Sequence, residues 1–147
     1  MNPPSANITS GKILVIDDNP IIQRTMYFAL RDKGYTVLMC GEVTEALKIV
    51  RAEQIDLILL DINFPPDLSV IGGNNVRDGF WALDWIHRMD EAKDTPIIVV
   101  SSDPPEKSKA HALAGGAAAY FHKPIDKQEL AATIAGLLAH KTTSPVA

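Results

Sequence analysis

Ile55-Asp56-Leu57-Ile58-Leu59-Leu60, ending at Asp61, is short, almost wholly apolar and rich in aliphatic side chains. A strand that faces water on one side alternates apolar with polar residues. One buried on both faces does not, and such strands belong to parallel sheets covered by helices. Four more runs are read as strands: Ile13-Leu14-Val15-Ile16, Thr36-Val37-Leu38-Met39, Pro96-Ile97-Ile98-Val99-Val100 and Ala117-Ala118-Ala119-Tyr120-Phe121.

The segments between these runs carry helical spacing. Ile21, Ile22, Thr25, Met26, Ala29 and Leu30 fall on one stripe, with Asn19 as N-cap and Pro20 at the first helical position. Val43, Ala46, Leu47 and Val50 follow the i, i+3, i+4, i+7 rule, and Phe80, Leu83 and Ile86 mark a third helix. Ala110, Leu113 and Ala114 suggest a short fourth. Leu130, Ile134, Leu137 and Leu138 mark a fifth, opened by the capping pattern of Asp126 and Glu129. Five βα units with right-handed crossovers make a three-layer α/β sandwich.

The 147 residues suit one domain, with 46% hydrophobic and 22% charged residues. A net charge of −4 argues against a dedicated nucleic-acid binder, whose affinity rests on cations that neutralise phosphates. Cys40, the single cysteine, forms neither an internal disulfide nor a thiolate metal site. No apolar run approaches the ~20 residues of a membrane span, and the opening residues lack the apolar stretch of a signal peptide. A cytoplasmic protein is expected. Residues 1–10 and 141–147 read as flexible tails around a domain at 11–140. Residues 64–77, with two prolines and two glycines, read as a long irregular loop after the third strand.

In an open parallel sheet, ligands bind beyond the carboxyl ends of the strands. Asp17 and Asp18 follow the first run, Asp61 the third, Ser101 and Ser102 the fourth, and Lys123-Pro124 the fifth. Taken singly, each fits a helix start or a solvated surface residue. Together they share one edge. Clustered carboxylates suit a hard divalent cation such as Mg²⁺ or Mn²⁺. A carboxylate also attacks phosphorus to form an aspartyl-phosphate, while a metal and a lysine neutralise the transferring group. The histidines His87, His111, His122 and His140 share no metal-ligand spacing, and Trp81 with Trp85 is read as packing.

With its ILVIDDNP opening, DLILLDIN and TPIIVVSS strands and YFHKP ending, the chain resembles the receiver domain of two-component response regulators, from Lys12 to about His140. The resemblance implies a flavodoxin-like doubly wound (βα)5 fold with five parallel strands in the order 2-1-3-4-5, an order for which the chemotaxis receiver is a standard example. It further implies Asp61 as phosphoacceptor, and Asp17, Asp18, Asp61 and the backbone carbonyl of Asn63 as metal ligands. Ser101 is then the switch hydroxyl, Tyr120 the switch aromatic and Lys123 the phosphate-pairing cation, with a cis Lys123–Pro124 bond. The implied donor is a sensor histidine kinase or a histidine phosphotransfer protein, and the protein is a phosphoacceptor rather than an enzyme of metabolites. No output domain is seen, so a stand-alone regulator is expected. It would act on an unknown downstream protein through the face of the fourth helix, fifth strand and fifth helix, which also offers a route to a homodimer.

Gly79 follows Asp61 by 18 positions, a longer loop than the resemblance leads one to expect. The extra residues, with apolar Leu68, Val70 and Ile71, suggest a cover over Asp61 or a wider partner surface, against a merely tolerated insertion. Three other readings stand beside the phosphoacceptor. One is a receiver-like adaptor that works without phosphorylation. Another is an aspartate-nucleophile phosphatase, which requires Asp-x-Asp after the first strand where this chain has Asp17-Asp18. The last is a flavin carrier, whose phosphate loop the acidic Asp-Asp-Asn-Pro would repel.

Overall fold

The computed structural model describes residues 11–63 and 79–142. The expected N-terminal tail, the 64–77 loop and residues 143–147 of the expected C-terminal tail lie outside these residues, whereas Lys141 and Thr142, read as tail, continue the last helix. The chain alternates β1 (Lys12–Ile16), α1 (Pro20–Arg31), β2 (Thr36–Cys40), α2 (Val43–Ala52), β3 (Leu57–Asp61), α3 (Gly79–Arg88), β4 (Ile97–Ser101), α4 (Pro105–Ala114), β5 (Ala119–His122) and α5 (Lys127–Thr142). The five strands are all parallel and stand in the order β2-β1-β3-β4-β5. This is the flavodoxin-like arrangement that the resemblance implied.

Both faces of the sheet are buried, and the two-residue period of a strand sorts its side chains between them. Ile13 and Val15 of β1, Leu57 and Leu59 of β3, and Ile98 and Val100 of β4 join Met26 and Leu30 of α1 and Leu130 and Ile134 of α5 in one core layer. The intervening Leu14, Ile16, Ile58, Leu60, Ile97 and Val99 join Val43, Ala46 and Val50 of α2 and Leu83 and Ile86 of α3 in the other. Each fully buried Leu or Ile contributes about 1.5–3 kcal/mol of apolar transfer, so these layers hold the helices to the sheet. Cys40, at the end of β2, is buried in the second layer. Its thiol contacts the Glu42 carbonyl oxygen at 3.7 Å, and burial pushes its pKa up to about 11.

Asn19 caps α1 as expected. Its Oδ1 accepts from the N–H groups of Ile21 (2.9 Å) and Ile22 (3.4 Å), satisfying two donors with no partner inside the helix. Asn19→Ala is expected to lower stability by about 1 kcal/mol, read as a shift in denaturant midpoint at unchanged slope. Asp126 caps the start of α5 in the same way, accepting from Gln128 and Glu129.

The structure differs from the expected pattern in a few places. Ile21, placed on the apolar stripe of α1, is 73% exposed, and the helix buries Met26 and Leu30 instead. β3 begins at Leu57 rather than Ile55, since the Asp56 side chain instead accepts the Lys12 N–H at 2.8 Å. β5 begins at Ala119 rather than Ala117, after a turn in which Gly116 takes a φ of +107°. α4 departs most: Ala110, Leu113 and Ala114 face solvent, and Ser108 and Ala112 point inward. Alanine and serine carry too little contrast to mark a helix face.

Candidate functional site

The register explains how separate acids meet. Ile16 pairs with Leu60, so Asp17 and Asp61 are the next residues of two hydrogen-bonded neighbours. Both continue the alternation that begins at Ile13 and Leu57, so they project to the same side of the sheet. Both are buried, at 3% and 4% exposure, while Asp18 is exposed. Lys123, two positions beyond Phe121 of the same core layer, extends to this side from β5. Its Nζ donates to Asp61 Oδ2 at 3.0 Å and lies 3.6 Å from Asp17 Oδ2. The Lys123–Pro124 bond is cis, as the resemblance implied.

Backbone donors hold the remaining carboxylate oxygens. The Asn19 N–H donates to Asp17 Oδ1 and the Asn63 N–H to Asp61 Oδ1, each at 2.8 Å. Burial pushes the Asp17 carboxyl up to about 6; the Asn19 bond opposes this, and the Asp61 charge adds to it. Burial pulls the Lys123 ammonium down, but its hydrogen bond to Asp61 and the charges of Asp61 and Asp17 outweigh that and hold it above its ordinary value.

Carboxylate oxygens of Asp17, Asp18 and Asp61 lie within 4.8 Å of one another, the only such acidic group among the described residues. Three hard oxygen donors with one ammonium leave net negative charge in a largely desolvated pocket, which fits a divalent cation. Between about pH 4 and pH 6 the folded chain holds the Asp17 proton more tightly than the unfolded chain does. Stability without metal therefore falls as pH rises through that window. A cation takes over the proton's role, so added Mg²⁺ is expected to raise the melting temperature by several degrees at about pH 7.5 and hardly at about pH 5. Thermal melts at both pH values, with and without the ion, check this.

Ser101 is fully buried, and its hydroxyl accepts the Asp103 N–H at 2.9 Å. By alternation it continues the row of Ile97 and Val99, on the α2 and α3 side of β4. Tyr120 is half-buried against that same layer, and its hydroxyl donates to the Asp103 carbonyl oxygen at 3.1 Å. Asn63 does more than follow the acceptor strand. Its Oδ1 accepts from the Ser102 N–H (2.7 Å) and hydroxyl (3.0 Å), and its Nδ2 donates to Asp103 Oδ2 at 3.3 Å. Asp103, which the sequence alone does not single out, is the centre of the loop between β4 and α4.

Trp81 packs on the core and stacks with the more exposed Trp85 at 5.4 Å between centroids, a packing role as expected. His111 stacks on Phe80 at 3.9 Å. No metal-ligand group of the described residues contains a histidine.

A five-stranded parallel sandwich with an acidic pocket and a lysine at its carboxyl edge defines a class of Asp-centred signalling domains. The chain belongs to the response regulator receiver domain family, whose match runs over residues 13–135, and is thus a receiver domain of two-component signalling. It is 30% identical to Protein PilH of Pseudomonas aeruginosa over 129 residues, covering 88% of this chain and 98% of PilH. It is also 30% identical to the transcriptional regulatory protein PrrA of Mycobacterium tuberculosis, covering 91% of this chain and 52% of PrrA. The chain spans only 12% of the signal transduction kinase BarA of Shigella flexneri, at 28% identity over 80% of this chain. In fold it is similar to a CheY-like receiver domain protein from Methanospirillum hungatei, with a TM-score of 0.79 and 24% identity over 93% of this chain and all of the other. The receiver domain of sensor histidine kinase PA1611 from P. aeruginosa, solved with a magnesium ion in its active-site cleft, superposes with a TM-score of 0.75 at 24% identity, covering 89% of this chain and 99% of its own.

Proposed function

We propose that the protein is a stand-alone response regulator that accepts a phosphoryl group on Asp61 and thereby changes a partner-binding surface. The observation that carries this is the placing of Lys123 Nζ against Asp61 and Asp17 beside a third acid, Asp18. Asp17, Asp18, Asp61 and the Asn63 carbonyl oxygen are the residues that would hold Mg²⁺ or Mn²⁺. Such an ion, when bound, neutralises charge on the transferring phosphoryl group.

The donor is a phosphohistidine of a sensor kinase or of a histidine phosphotransfer protein, which places the reaction in the cytoplasm. An Asp61 carboxylate oxygen attacks phosphorus, the N–P bond breaks, and its electron pair returns to the imidazole, which takes up a proton. Asn63 N–H orients the carboxylate from one side, and Lys123 stabilises negative charge from the other. Asp61 in effect exchanges a monoanion for a group with a charge of about −1.5 to −2 and three acceptor oxygens. Those oxygens compete for Lys123 and for the Ser101 hydroxyl. Ser101 leaving Asp103, and Asp103 releasing Tyr120, shift a two-state equilibrium of the β4–α4 loop.

The surface so altered lies between α4, β5 and α5, a groove lined by Lys109, Leu113, Tyr120, His122 and Glu129. A downstream protein, or a second copy of the chain, docks there. The match along 98% of PilH supports a regulator without its own output domain, with residues 11–140 as the working unit and the 64–77 loop beside its site. Among the described residues no helix is long and apolar enough to cross a membrane. Incubation with Mg²⁺ and acetyl phosphate tests the reading: intact mass should show one added phosphoryl group, and none when the ion is left out of the reaction. An unmodified protein under these conditions refutes it.

A further inference from the structure

We propose that the Asp103 side chain is a positioning residue that couples the phosphoacceptor loop to helix α4, separately from the bonds of its backbone to Ser101 and Tyr120. Its single oxygen Oδ2 takes two donors from different elements: Asn63 Nδ2 at 3.3 Å and Ser108 Oγ at 3.4 Å. Asn63 is tied to the acceptor, since its own N–H donates to Asp61 Oδ1. Ser108 is on α4 and only 3% exposed. A continuous path therefore runs from Asp61 through Asn63 and Asp103 to the inward face of α4.

The path matters because apolar burial holds that helix only weakly. α4 buries only Ser108 and Ala112, both small, and leaves Leu113 43% exposed. By contrast, α3 places Ala82, Leu83 and Ile86 in the core. Apolar anchoring scales with buried area, so α4 leans on the Ser108 bond near its start and on the stack of His111 against Phe80. A buried hydroxyl that loses its acceptor is costly, which makes the Ser108 bond an effective lever on the helix. A phosphoryl group on Asp61 displaces Asn63, Asn63 pulls on Asp103, and α4 is released or re-seated through Ser108.

This inference rests on Asp61 being the phosphoacceptor, and the test separates the two. Asp103→Ala and Ser108→Ala each cut the side-chain path and leave the backbone bonds to Ser101 and Tyr120 in place. The full chain is treated with Mg²⁺ and acetyl phosphate. Label on Asp61 is measured by mass, and amide hydrogen exchange is followed in Pro105–Ala114. In the wild type, phosphorylation is expected to change exchange in that segment by about fivefold. Both variants are expected to take up label within about threefold of the wild-type rate, with an exchange change below about 1.5-fold. A full wild-type-sized response in either labelled variant overturns the coupling role of Asp103 and leaves the phosphoacceptor reading intact. A wild type without label on Asp61 overturns both.

Discussion

Asp61→Asn is expected to bring phosphoryl uptake from acetyl phosphate down to background, a loss of at least about a hundredfold. The change replaces one carboxylate oxygen by an amide NH2, removes the negative charge and leaves no competent nucleophile. It is also nearly isosteric. The remaining oxygen can still accept the Asn63 N–H, and Lys123 keeps Asp17 as a partner, so the fold should survive with a cooperative melt. The acid cluster loses one of its three members, so Mg²⁺ affinity should fall too. Intact mass after incubation, with a melting curve as control, decides the matter. Equal labelling of the variant would mean that another side chain is the acceptor.

Lys123→Ala separates two jobs that one ammonium performs. As the donor at 3.0 Å from Asp61, it stabilises charge that builds up on the phosphoryl oxygens. Removing one such fixed donor is expected to slow transfer by about 10²–10³-fold, or about 3–4 kcal/mol. The same ammonium competes with a cation for Asp17 and Asp61. Without it the pocket is more negative, and Mg²⁺ should bind about tenfold more tightly. Slower transfer together with tighter metal binding is a combination that general damage to the pocket would not produce. Titration calorimetry with Mg²⁺ and the time course of labelling measure the two halves. Weaker metal binding in the variant would show that Lys123 supports the cation site rather than opposing it.

Much of this was legible because strands have a period of two. The apolar run into Asp61 marks a doubly buried strand, and the run into Asp17 marks its neighbour. Alternation then sends both carboxylates to one side of the sheet and sets Ser101 in the row of Ile97 and Val99. Pro20 behind Asn19 announced the start of α1 correctly. What stayed hidden needed contacts across the chain. Asp103 stands between Ser102 and Pro104, where a helix start explains it well enough. Its link to Asn63, 40 positions earlier, exists only once β3 and β4 pair and set their following loops side by side. α4 misled for a different reason. Its inward residues are Ser108 and Ala112, chemically much like the Ala110 and Ala114 that face outward, so no apolar stripe betrays its orientation. The proposed cover over Asp61 concerns residues 64–77, outside those described.

Cys40 has a practical consequence for watching the molecule open. Thiolate, not thiol, reacts with alkylating reagents, and a group pushed up to about 11 by burial is almost wholly protonated near neutrality. Because the chain has a single cysteine, any adduct reports one place, the seam where β2 meets the sheet's second core layer. Pulses of iodoacetamide would therefore act as a clock for excursions that expose this seam, with no reporter group engineered in.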